Sequence, residues 1–125
     1  MLTWPPTVRI FVSTQPADMR RSFDGLAMIA REGMGQDPLS GHLFVFFNRR
    51  GDRVKILFWD RSGFCLWYKR LEQGVFRLPQ SLAEAVNPEV ELADLSLILE
   101  GIDLSGAQRR KRYAAPSHSR ALPHA

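Results

Sequence analysis

The sequence predicts an α+β fold: an antiparallel sheet of about four to five strands, a meander, with about two to three helices packed on it. Three observations carry that expectation. Between His42 and Leu78, four short apolar runs are cut apart by turn residues. Upstream, residues 8–12 (Val-Arg-Ile-Phe-Val) are β-branched and aromatic, bounded by Pro6 before and by Ser13 to Pro16 after. Finally, the segments leading to Glu32 and to Glu100 carry apolar residues at helical spacing.

Residues 8–12 read as a strand because branched and aromatic side chains fit a pleated surface. In the next segment Asp18 or Ser22 is positioned to accept bonds from the free amides of a helix start. Phe23, Leu26, Ala27 and Ala30 then recur on one face, and Gly33 and Gly35 supply the stop. Gly25, near the start, suits a close approach by a neighbour.

The meander follows as residues 43–47, 54–59, 64–68 and 75–78, with Gly51, Gly63 and Gly74 in the turns, where positive φ is often required. Pro79 ends it. Residues 81–85 read as a short turn or helix, and residues 89–100 as a helix with Val90, Ala93, Leu95, Leu97 and Ile98 toward the core and Gly101 as its stop. Residues 1–104 are expected to form one globular domain, with 105–125 as a basic flexible tail in which apolar content drops sharply.

Composition narrows the function classes. No run approaches the roughly 18 apolar residues of a membrane span, so a cytoplasmic protein without membrane partners is expected. The single cysteine, Cys65, excludes an internal disulfide framework. The formal net charge of +4 hides strong segregation. Residues 1–48 sum to zero, 49–78 to +5, 79–107 to −6 and 108–125 to +5.

No catalytic constellation is apparent. The histidines at 42, 118 and 124 lack metal-binding spacing, at least one of Asp18 and Asp24 near the helix start is expected to cap, and Asp52 and Asp60 fall in turns where Asp is expected on backbone grounds. Cys65 reads as a small buried hydrophobe within a strand. No phosphate-cradling glycine loop is present. We therefore expect a non-enzyme without cofactor or metal.

The candidate nucleic-acid contacts are cationic: Arg49, Arg50, Arg53, Lys55, Arg61, Lys69 and Arg70 in the meander, and Arg109, Arg110, Lys111 and Arg112 in the tail. Guanidinium grips phosphate in two-pronged geometry. Strand alternation leaves neither 54–59 nor 64–68 apolar on one side only. Two readings of Trp59, Trp67 and Tyr68 follow: a sheet covered on both sides, or exposed rings that stack on bases or meet a partner beside the cations.

Several stretches resemble the TnpB-type accessory proteins of the insertion-sequence sixty-six family of bacterial transposable elements. They are Asp18-Met19-Arg20-Arg21-Ser22-Phe23-Asp24-Gly25-Leu26, Asp37-Pro38-Leu39-Ser40-Gly41 and Phe44 through Asn48-Arg49-Arg50-Gly51-Asp52-Arg53. The likeness continues through Lys55-Ile56-Leu57-Phe58-Trp59-Asp60 and Gly63 through Glu72 to Phe76 and Pro79, and covers roughly residues 5–80. It implies a non-catalytic helper of transposition, encoded beside a separate transposase and a second small accessory protein, both of them partners. Assistance in assembling the transposase–DNA complex, by binding DNA or the transposase, is the expected role. The alternative is an adaptor or homo-oligomeric scaffold that does not touch DNA.

Overall fold

The computed structural model describes residues 7–86 and 88–101. Their elements are β1 (Ile10–Val12), α1 (Phe23–Met28) continued by a π-helical turn (Ile29–Gly33), β2 (Leu43–Phe47), β3 (Arg53–Asp60), β4 (Gly63–Arg70), α2 (Gln80–Ala83), β5 (Glu89–Val90) and α3 (Leu92–Glu100). The five strands form one sheet in the order β4-β3-β2-β1-β5. The fold is α+β as expected, and the sheet is mixed: β1 runs parallel to β2, while every other pair is antiparallel.

The parallel pair follows from what lies between its strands. The chain leaves β1, forms α1 and its π-helical turn, and comes back into β2, setting Ile10 opposite Leu43, Phe11 opposite Phe44 and Val12 opposite Val45. A parallel return needs such a crossover, whereas a hairpin gives antiparallel pairing. All three residues of β1 are buried, as an inner strand covered on both faces requires.

Five local expectations need correction. Residues 75–78 are not a fourth meander strand. After Gly74 (φ 76°) the chain turns across the β2–β3 tip, where the Phe76 amide donates to the Gly51 carbonyl at 2.7 Å. The Phe76 ring sits 5.6 Å from that of Phe47 and is buried, and no strand among the described residues pairs with the outer edge of β4. Residues 89 and 90 do not begin the last helix. They pair with β1, and the Glu89 carboxylate takes the Arg9 guanidinium at 2.7 Å, so α3 starts at Leu92.

In the first helix neither Asp18 nor Ser22 caps with its side chain; Asp18 accepts from the Arg20 amide instead. Phe23 is exposed, so the buried face narrows to Leu26, Ala27 and Ala30. Of the turn glycines, Gly51 and Gly74 take positive φ, whereas in the β3–β4 turn it is Arg61 (φ 55°) and not Gly63 that does so.

The lack of a polar side on the strands now has its cause. One face of the sheet buries Ile10, Val12, Leu43, Val45, Val54, Ile56 and Val90 against Leu95 and Leu99 of α3 and against Phe76. The other buries Phe11, Phe44, Phe46 and Leu57 against Leu26 and Ala27 of α1 and Ala30 of the π-helical turn. The sheet is the middle of three layers.

Because Phe44 is fully buried and stacked on Phe11 at 5.8 Å, Phe44→Ala should cost about 3–5 kcal/mol. Phe23→Ala, at an exposed position, should change stability by less than about 1 kcal/mol. Urea unfolding of the two variants measures the contrast.

Candidate nucleic-acid interface

Two loops far apart in sequence form one cleft of about 840 Å³. One lip is the segment after β1, contributing Pro16, Asp18, Met19 and Arg21; the other is the β2–β3 tip, contributing Asn48, Arg49, Arg50, Asp52 and Arg53. Both lips lie within the stretches Asp18 to Leu26 and Phe44 to Arg53 on which the family resemblance rests, apart from Pro16.

The tip is held by its own chemistry. Asn48 Nδ2 donates to Asp52 Oδ1 at 2.7 Å, and Asn48 Oδ1 accepts the Arg53 amide at 3.0 Å. Gly51 (φ 77°) closes the turn with its amide on the Asn48 carbonyl at 3.1 Å. A side chain is strained in that left-handed conformation, which is why glycine stands there. The Asn48 bond is the largest cause holding the Asp52 carboxyl below its ordinary range; burial opposes it, and the fields of Arg50 and Arg53 add to it.

The opposite lip is held from the sheet. Lys55, in the middle of β3, is buried, and its Nζ donates to the carbonyls of Met19 at 2.8 Å and Arg21 at 2.7 Å. The same ammonium stands 4.8 Å from the centre of the Tyr68 ring, a cation–π geometry. Additional backbone bonds run from the Ala17 amide to Phe47 and from the Ser13 amide to Val45. Asp18 accepts from both the side chain and the amide of Arg20, and these bonds hold its carboxyl down at about 2.

The predicted cations therefore divide by what engages them. Lys55 is buried and its ammonium is occupied with two carbonyls. Lys69 Nζ donates to the Leu99 carbonyl in the last turn of α3, and Arg70 pairs with Glu72. Arg53 lends its guanidinium to the Tyr68 hydroxyl at 3.0 Å. Arg49 and Arg50 are exposed, and among the described residues their guanidiniums make no hydrogen bond or ion pair. Arg61 lies at the other end of β3, an eight-residue strand roughly 25 Å long. Arg109, Arg110, Lys111 and Arg112 lie outside the described residues, as does the proposed tail at 105–125.

Sequence reasoning missed Arg21, which lines the cleft; its backbone is bonded to Asp18 and Lys55, but its guanidinium makes no hydrogen bond or ion pair among the described residues. Its presence in the resemblance stretch was the available signal. The aromatic candidates fall on both faces. Trp67 packs against the α3-side core, and Trp59 meets Phe64 edge-on at 5.1 Å on the α1 side. Tyr68 is 47% exposed, with Lys55 over its ring and Arg53 at its hydroxyl. None of the three lines the cleft. Among the described residues no group of three His, Cys, Asp or Glu is placed to hold a metal ion, and no helix is long and apolar enough to cross a membrane.

The family model described as IS66 Orf2 like protein matches residues 8–109, and this chain belongs to that family. It is thereby a transposition-associated accessory protein of insertion sequences. Two relatives from Sinorhizobium fredii are named only as uncharacterized proteins. The chain is 37% identical to y4jC over 103 residues, which span 82% of this chain and 86% of that protein. It is 39% identical to y4hO over 103 residues, 82% of this chain and 88% of that protein. No solved structure matches.

Two outcomes test this geometry. Lys55→Met removes the ammonium from two part-buried carbonyls, at a cost of about 1 kcal/mol each, and should speed amide exchange in residues 17–23 ahead of the sheet. For Asp18 the folded-state pKa is depressed from 3.8 to about 2. Its contribution to stability is therefore complete above 3.8 and lost as the pH falls through about 2. A carboxyl carbon NMR titration should find Asp18 still ionised at pH 3, where an ordinary aspartate is mostly protonated.

Proposed function

We propose that this protein is a non-catalytic helper that assists assembly of the transposase–DNA complex and touches the DNA backbone through the rim of the cleft. The observation that carries this reading is the convergence of Arg21, Arg49 and Arg50 on one cleft with guanidiniums that make no hydrogen bond or ion pair among the described residues, while Arg9, Arg20 and Arg70 are each paired with a carboxylate. Unpaired arginines on a preformed surface are suited to phosphate, because no internal ion pair has to be broken first. Arg53 and the tail cations Arg109, Arg110, Lys111 and Arg112 add charge to the same contact, and Arg61 stays outside it.

A reading as a protein–protein adaptor draws on the outer edge of β4, eight residues long and paired with no strand among the described residues. On that view the transposase, the second accessory protein or a second copy adds a strand there. A pull-down with the cognate transposase in the presence of nuclease separates direct contact from bridging by DNA.

The DNA reading is tested by titrating salt against affinity for the terminal DNA of the element. Each phosphate contact contributes about −0.9 to the slope of log K against log salt. Arg49→Ala with Arg50→Ala should weaken binding and flatten the slope by about 2, whereas Arg61→Ala should leave both unchanged. Replacing the tail cations by Gln should flatten it further. Affinity that is absent at low salt, or independent of salt, removes DNA contact.

A further inference from the structure

We propose that the cleft between the segment after β1 and the β2–β3 tip receives an unpaired nucleotide, the base on its apolar lining and the flanking phosphates on its arginine rim. This deepens the DNA reading above and rests on it.

Shape is the first argument. A duplex turns its bases inward, and proteins that read it insert a protruding element into a groove. Here the arginines border an open concavity of about 840 Å³, comparable in volume to small-ligand sites of roughly 300–1,000 Å³. A cleft receives, and what nucleic acid can offer to it is a base out of the stack.

Lining is the second. Pro16, Ala17, Met19 and Ile29 form the apolar part of the lining, suited to the flat face of a base of any identity. Arg21, Arg49 and Arg50 stand around it, and a guanidinium plane either stacks on a base or grips a phosphate. Asp18 and Asp52 also line the cleft, and both carboxyls are held in their ionised form. Two carboxylates disfavour a bare phosphate ion as the occupant. They are compatible with a nucleotide, whose exocyclic amino groups donate hydrogen bonds while its phosphates lie at the rim.

Rigidity is the third. Lys55 holds one lip through two carbonyls and Asn48 organises the other through Asp52 and Arg53, so little ordering remains to be done on binding.

The test uses the full chain and one labelled oligonucleotide sequence in three forms: single strand, perfect duplex, and duplex with a central unpaired bubble. At fixed moderate salt, anisotropy should show the single strand and the bubble bound about tenfold tighter than the perfect duplex. Met19→Glu places a carboxylate in the apolar lining while keeping the backbone carbonyl that Lys55 uses, and should reduce that preference to about twofold or less. A fluorescent adenine analogue in the bubble provides a readout without any variant, since its emission should change as the base enters the cleft. Equal affinity for duplex and bubble, or an analogue whose emission is unmoved by saturating protein, overturns the nucleotide site and leaves DNA contact standing. No binding to any of the three forms at low salt removes both.

Discussion

The ammonium of Lys55 is the joint on which the site depends. Taking a lysine out of water costs several kcal/mol, so it is tolerated only where acceptors replace the lost hydration. Here the Met19 and Arg21 carbonyls do so, at 2.8 and 2.7 Å, with the Tyr68 ring alongside. These carbonyls belong to the segment just before α1, whose own helix start has no side-chain cap. One strand residue thus supplies what local sequence does not, and ties the crossover to the centre of the sheet. The same bonds set the position of Arg21 against the β2–β3 tip.

Around that joint, the cations have two different jobs. Lys55 and Lys69 end on backbone carbonyls, and Arg9, Arg20 and Arg70 end on carboxylates. The exposed pairs are worth little in stability, since solvent and salt screen them. Their structural effect is to use up charge, so that among the described residues the guanidiniums at the cleft without a hydrogen bond or ion pair belong to Arg21, Arg49 and Arg50. A net charge of +4 is a poor guide to such a surface, because it counts engaged and unengaged cations alike.

The three-layer arrangement explains why aromatic residues are poor signposts in this chain. A sheet covered on both faces needs apolar side chains at odd and even strand positions. Trp67 and Trp59 serve opposite faces of the sheet, toward α3 and α1. Alternation of apolar and polar residues cannot mark an exposed face when both faces are covered.

The sequence by itself determined the α+β class, the strands β2, β3 and β4, the helix after β1 and the family, because these rest on local pattern: short β-branched and aromatic runs, turn residues, helical spacing and long motif identity. It also marked Arg49 and Arg50, since a glycine turn with flanking arginines is a local signal. Only the tertiary structure decided that β1 lies inside the sheet, parallel to β2, because strand order is set by which faces the crossover helix buries. It redirected residues 75–78 across the β2–β3 tip, where burying Phe76 and bonding to Gly51 replaced another strand pair. It also separated Lys55 from Arg49: both are cations in one basic stretch, and only the fold brings the Met19 and Arg21 carbonyls to the first and leaves the second at the rim of a cleft. Those partners lie 36 and 34 residues from Lys55, beyond the reach of any local pattern.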